Sequence, residues 1–267
     1  MLKDITLGQY FPGDSVVHRC DPRTKLILTV VYIAALFVAK SFVSYLLMLV
    51  VLVLCITVSK IRPAALLRGL KPLIIIIVFT AVLNLFYSTG DPIVKFWIFK
   101  ITREGIRSAV FMVARIIMLV VGTFLLTYTT SPIALTDGME KLFAPLKKIK
   151  IPVHEMAMMM SIALRFIPTL IEETDKIMSA QKARGADFET GNLIQKAKAL
   201  LPLLVPLFVS AFRRADELAI AMVSRCYHGD KGRTRMKQLH MVGRDYAGIL
   251  MGAIILAAVI VLARFGL

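Results

Sequence analysis

Apolar residues fall in long runs separated by short charged stretches, and five of these runs approach the length needed to cross a bilayer. Residues 26–39 and 42–58 are parted only by Lys40-Ser41, which predicts a tight turn between two antiparallel helices; residues 72–87, 108–130 and 246–263 supply three more runs. A hydrocarbon core of about 30 Å takes about 20 mostly apolar residues, fewer where polar ends snorkel to the interface. The run over 108–130 carries one interior charge, Arg115. Between 131 and 243 the pattern changes. Residues 153–182 begin with a methionine-rich stretch containing Met156, Met158, Met159 and Met160, pass Arg165 and Pro168, and end in Glu172, Glu173, Asp175 and Lys176. Residues 194–227 hold an apolar run over 199–212, with Leu203 and Leu204, interrupted by Pro202 and Pro206 and followed by Arg213, Arg214, Asp216 and Glu217. A helix apolar at one end and amphipathic at the other suits an element that starts at the membrane and ends in water or on a partner. The prolines remove helix hydrogen bonds and predict bends. The methionines read either as plain core packing or as a soft, repackable docking surface, because unbranched thioether side chains adapt to different partners.

The predicted fold class is an all-α polytopic membrane protein, with about five transmembrane helices plus long, kinked cytoplasmic helices. Residues 1–130 form an N-terminal region of four transmembrane helices, 131–243 the cytoplasmic or interfacial helices, and 244–267 a C-terminal transmembrane helix. Composition agrees. Of 267 residues, 58% are apolar and 19% charged, which excludes disorder and argues against an ordinary soluble domain. Thirty-three Lys and Arg against 17 Asp and Glu leave a net charge of +16. Such an excess suits nucleic acid, acidic partners or the anionic cytoplasmic leaflet. The basic residues are interleaved with acids and lack an aromatic stacking pattern, which argues against nucleic acid.

Charge also orients the chain. Lys60, Arg62, Arg68 and Lys71, with no acid among them, place 60–71 on the cytoplasmic side. The N-terminus and 131–243 then lie inside and the C-terminus outside. Residues 88–107, with Lys95, Lys100, Arg103 and Arg107, fall outside against the rule. Arg23 and Lys25, just before the first run, read as membrane anchors, and Lys141, Lys147, Lys148, Lys150 and a cluster over 231–237 add leaflet contacts. The first apolar run begins only at Leu26 and no small-residue cleavage site closes it, so an uncleaved first helix directs insertion.

Catalytic chemistry is hard to assemble. Cys20, Cys55 and Cys226 stand singly, as in a reducing setting. Gly229-Asp230-Lys231-Gly232 lacks phosphate-loop spacing. His18, His154, His228 and His240 show neither i, i+4 spacing nor cysteine neighbours, so no metal site is expected. Asp216 and Glu217, the one plausible acidic pair, are adjacent and face different sides of a helix. No catalytic residue is named, and the energy for function comes from elsewhere. What stands out are two arginine clusters at the ends of the two long helices. Ala183-Arg184-Gly185 closes the first, with Gly185 as a natural C-terminal stop, and Ser224-Arg225-Cys226 closes the second, just before Tyr227. A helix dipole favours a cation at such an end. Its repetition at matching positions on successive helices points beyond capping.

On these residues the chain resembles the transmembrane T component of energy-coupling factor transporters, vitamin and metal importers of the ATP-binding cassette class. The resemblance covers essentially the whole chain: Asp21-Pro22-Arg23-Thr24-Lys25 before the first span, clustered N-terminal spans, long coupling helices and a final span. Ala183-Arg184-Gly185 matches the family's Ala-Arg-Gly motif in full, while Ser224-Arg225-Cys226 keeps only the arginine, a departure that bears on close packing rather than on charge. The resemblance implies a coupling subunit of a prokaryotic cell membrane that binds no cofactor and is not itself catalytic. Ala183, Arg184, Gly185, Ser224, Arg225 and Cys226 would contact two ATPase subunits, which hold ATP and Mg. A small membrane S component, carrying a vitamin or other micronutrient, would sit on the coupling helices, with Met156, Met158, Met159, Met160, Leu203 and Leu204 as candidate contacts. A conventional ATP-binding cassette permease is the alternative, since its coupling loop also ends in Gly followed by an apolar-Pro pair. Here Gly185 precedes Leu201-Pro202 by more residues than that loop has, and no Glu-Ala-Ala opens it. A polytopic membrane enzyme is the remaining alternative.

Overall fold

The computed structural model describes residues 10–87, 92–96, 99–186, 188, 192–229 and 238–265; the basic cluster over 231–237 lies outside the described residues. The chain divides into two compact units, Gly8–Met139 with Leu239–Leu267, and Glu140–Gln238. The sequence-based boundaries at 130/131 and 243/244 lie nine and five residues from these.

The first unit is built from apolar helices. They are α1 (Pro22–Val38), α2 (Phe42–Ser59), α3 (Pro63–Leu70), α4 (Ile74–Tyr87), α5 (Arg103–Thr129) and α9 (Gly243–Phe265). Their starts follow local chemistry. Asp21 accepts from the Arg23 amide with Pro22 at the first helical position, Ser41 accepts from the Ser44 amide, and Thr102 from the Gly105 amide. Lys40-Ser41 makes the expected turn between α1 and α2.

Two expectations change. Among the described residues, four helical stretches of 18 or more residues are long and apolar enough to cross a membrane: Phe42–Ser59, Pro63–Phe86, Arg103–Thr129 and Gly243–Phe265. α1, with 17 residues and a rise of about 26 Å, is one residue shorter than α2 and lies at the lower end of spanning length, so each of the five apolar runs expected from the sequence falls on a helix. The third span starts earlier than its apolar run, because a 3-10 turn over Lys71–Leu73 carries α3 into α4 without a break. A hairpin, β1 (Pro92–Phe96) antiparallel to β2 (Phe99–Thr102), precedes α5; it is a small β element in an otherwise helical protein.

The core of this unit gathers Leu36, Met48 and Val259, fully buried, with Tyr45, Leu52, Met118, Val121 and Tyr128 around them. Close approach needs small residues, as at other membrane helix interfaces. A Cβ on Gly122 would come within 2.5 Å of the Tyr32 ring, so that glycine lets α5 pack on α1. Arg115, the interior charge of α5, is partnered without a carboxylate. Its Nε donates to Tyr45 Oη (2.8 Å), and its Nη2 donates to the carbonyl of Ala39 at the open C-terminal end of α1 (3.1 Å). The Phe37 and Tyr45 rings lie against its guanidinium.

The second unit is dominated by α7 (Val153–Ala183, 31 residues) and α8 (Leu193–Ser224, 32 residues), which correspond to the two long elements expected over 153–182 and 194–227. α6 (Pro132–Phe143) and a 3-10 stretch (Ala144–Ile149) lead into α7. Pro168 lies inside α7, and Pro202 and Pro206 inside α8, and both helices run through them uninterrupted. His154 Nδ1 lies 2.9 Å from Glu140 Oε1, both side chains buried, which fixes the start of α7.

Candidate functional site

The ends of α7 and α8 are the same structure made from different residues. In α7 the amide of Gly185 donates to the Lys182 carbonyl and that of Ala186 to the Gln181 carbonyl, both at 3.0 Å. In α8 the amide of Cys226 donates to the Val223 carbonyl (2.9 Å) and that of Tyr227 to the Met222 carbonyl (3.1 Å). This paired pattern is the Schellman cap, which satisfies the last helix carbonyls and needs a left-handed residue just past the end. Gly185 supplies it at φ 87° and Cys226 at φ 57°. Arg184 and Arg225 therefore occupy one equivalent position, the capping residue of each helix.

The two motifs differ in the residue that fills the left-handed position. A Cβ on Gly185 would meet nothing within 4 Å among the described residues, so the glycine is not needed for packing within the chain. Its value is conformational, and Cys226 adopts the same geometry at a cost of about 1 kcal/mol. The departure at Ser224-Arg225-Cys226 leaves the presentation of the arginine intact.

All six motif residues are exposed. Among the described residues, neither the Arg184 nor the Arg225 guanidinium has a hydrogen-bond or ion-pair partner. Each is a planar five-donor fork held at the tip of a helix of more than thirty residues, the geometry that suits bidentate pairing with a carboxylate from outside the chain.

The other candidates separate by burial. Met156, Met159 and Met160 are exposed on one face of α7, at i, i+3 and i+4, while Met158 is half-buried. On α8, Leu204 is 49% exposed and continuous with exposed Leu200, Leu201, Val205, Phe208, Val209 and Phe212. Leu203 is a correction: at 3% exposure it packs inside the unit and offers no surface to a partner. The cause is helical periodicity, since Ala199, Leu203, Leu207 and Ser210 share one inward stripe while Leu204 is turned away from it.

Arg23 and Lys25 also change role. Lys25 is 7% exposed, and its Nζ donates to the carbonyls of Thr129 (2.9 Å) and His18 (3.2 Å) and to Thr130 Oγ1 (3.3 Å), closing the C-terminal end of α5. Arg23 forks onto the Asp21 carboxylate, Nε to Oδ1 at 3.0 Å and Nη2 to Oδ2 at 2.9 Å, and Nη2 also donates to the Leu239 carbonyl at 3.0 Å. Asp245, fully buried, accepts from the amides of Asp21 and Val242, each at 2.9 Å. Burial pushes the Asp21 carboxyl up, but hydrogen bonds from Arg23 and the charges of Arg23 and Lys25 outweigh it and hold the group below the usual carboxylate range. These two acids and two bases form a neutral internal knot, so Arg23 and Lys25 direct their charge inward rather than to a leaflet.

Sequence reasoning missed the clasp between the two long helices. Arg214 Nη2 lies 2.6 Å from Glu173 Oε2, both partly buried, joining side chains 41 positions apart. Both residues were legible as parts of polar tails, but nothing in their spacing announced the pair.

Comparison with known proteins places the chain. The sequence family described as cobalt transport protein matches residues 13–236. The energy-coupling factor transporter transmembrane protein EcfT of Clostridium kluyveri is 54% identical over 266 residues, covering 99% of this chain and 98% of the relative. The protein of the same description from Thermosediminibacter oceani is 54% identical over 264 residues, 99% of each chain. That from Bacillus subtilis is 46% identical over 265 residues, 99% of this chain and 100% of the relative.

Proposed function

We propose, from the premise that the chain belongs to the family of energy-coupling factor transporter transmembrane proteins, that Arg184 and Arg225 are its contacts with two ATPase subunits of the transporter. It is the multi-pass transmembrane component of such a transporter. The ATPase subunits bind ATP and Mg, and the chain itself binds no cofactor and catalyses nothing. A small S component carries the substrate, a vitamin or other micronutrient, and rests on the exposed apolar faces of α7 and α8. The N-terminus and the two long helices lie on the cytoplasmic side of a prokaryotic cell membrane.

One observation carries this reading: two guanidiniums without a partner among the described residues, exposed at equivalent positions of identically capped helices. A lone cation at a helix end is explained by the dipole. Two rigid helices that each end in an exposed fork are suited to being gripped separately, so that movement of the two ATPases toward each other moves the helices. The methionine face of α7 and the apolar face of α8 then transmit that motion to whatever lies on them.

Tagged chain purified from native membranes is expected to bring with it two ATP-binding subunits and a small membrane protein, and chain purified alone to turn over no ATP. Turnover by the isolated chain, or absence of ATPases from the native preparation, overturns the reading. For the apolar faces, single cysteines at Met159 and Leu204 are expected to crosslink to the small membrane partner, whereas a cysteine at the buried Leu203 is not. Crosslinks that form only within this chain would return both stretches to ordinary packing.

A further inference from the structure

We infer that the two arginine-bearing helix ends hold their ATPase grooves by different forces, the α7 end through charge and the α8 end through an apolar ridge. The inference rests on the assignment of Arg184 and Arg225 as ATPase contacts and adds what surrounds each arginine.

The backbone gives no reason for the two ends to differ, since both carry the same cap. The side chains do. The last turns of α7 expose Asp175, Lys176, Ser179, Ala180, Lys182 and Ala183. Among the described residues, no large apolar side chain is exposed between Met160 and Ile194. The final turn of α8 carries no basic residue, whereas that of α7 carries Lys182. Over the matching stretch of α8, Asp216 and Glu217 are exposed as well, but Ile220 and Val223, 67% and 72% exposed and three positions apart, stand on one face directly before Arg225. The small exposed side chains of Ala219, Ala221 and Ser224 beside them leave the ridge accessible.

Each arrangement has a distinct binding signature. An apolar pair next to an arginine matches the centre of a protein interface, where desolvated apolar and Arg side chains carry most of the affinity. A helix end with only charged, polar and small side chains around its arginine gains mainly Coulombic attraction. Between exposed charges that attraction is screened, the Debye length falling from about 10 Å at about 0.1 M salt to about 3 Å at about 1 M. The groove that receives α8 should therefore be lined by apolar side chains beside its carboxylate, and the groove that receives α7 by acidic ones.

The experiment measures the affinity of the purified ATPase subunits for the full chain in nanodiscs, at about 50 mM and about 500 mM salt. The chain is compared with Ile220→Gln plus Val223→Gln and with Lys176→Gln plus Lys182→Gln. The apolar pair variant is expected to lose about tenfold or more at both salts, and its remaining binding to become steeply salt-dependent. The lysine variant is expected to lose affinity at low salt and to match the unsubstituted chain at high salt. Equal losses with equal salt dependence in the two variants overturn the inference, as does an unaltered affinity for the apolar variant. Failure of the unsubstituted chain to bind ATPases at all would instead overturn the assignment of the arginines. Circular dichroism of each variant confirms that its helices are intact.

Discussion

Arg184→Glu combined with Arg225→Glu is expected to leave the chain folded and inserted while ending its association with ATPase subunits and any transport they drive. The caps at Arg184 and Arg225 are made by main-chain amides, so they survive any change of side chain. Neither guanidinium has a partner among the described residues, and the folded chain loses only the favourable placement of a cation at each helix end, about 0.3–1 kcal/mol apiece. Binding loses far more. Removing one partner of a buried, hydrogen-bonded charge pair costs about 2–5 kcal/mol, and reversal sets like charges against each other. Two such losses weaken association by about three orders of magnitude or more. Co-purification and thermal melting of the same preparation separate the two effects. Undiminished co-purification overturns the assignment, and a collapsed melting transition would mean that the arginines are structural. Arg184→Lys with Arg225→Lys should fall between, since an ammonium keeps the charge and loses the fork.

Lys25→Glu is expected to do the opposite, abolishing accumulation of folded chain rather than its partnerships. The ammonium of Lys25 is buried, sits at the end of α5 on three oxygens, and together with Arg23 balances the charges of Asp21 and Asp245. A glutamate there would add a third anion to a knot left with a single cation, at the negative end of a helix dipole. Breaking a buried charge constellation in this way costs about 3–5 kcal/mol, a large part of the stability of an ordinary domain. Protease resistance in isolated membranes is the measurement, with Lys147→Glu, an exposed lysine, as the comparison. Equal protease resistance of the two variants would restore Lys25 to a superficial anchoring role.

Comparison of these two outcomes shows what a sequence exposes and what it hides. The α2, α5 and α9 spans were legible because each is a nearly unbroken apolar run, and the two long helices because their apolar and charged ends are distinct. The start of the third span was not, since Lys71-Pro72 looks like a break whereas a 3-10 turn carries the helix through it. The hairpin over 92–102 is too short for a periodicity signal. At the candidate site, Gly185 announces a left-handed cap, but Cys226 does not, because cysteine has no preference for that region. The identity of the two caps required backbone geometry. The roles of Lys25 and Leu203 were hidden for a related reason: one depends on oxygens 104 positions away, and the other on which face of α8 turns inward. Charge at a span end and apolarity on a helix are visible in a sequence, while the direction each side chain takes is not.

The bond between the Asp21 amide and Asp245 joins positions 224 apart, which places it among the last contacts available to a chain made from its N-terminus. While the ribosome is still adding the middle of the protein, α1 has neither α9 to pack on nor Asp245 to lock to. A 17-residue helix with two basic residues in its first turn must therefore hold its place at the translocon without its final partner. The membrane unit is therefore completed only once α9 has been made, and a chain truncated before it would leave the α9-facing side of α1 uncovered while the contacts of α1 with α5 remain.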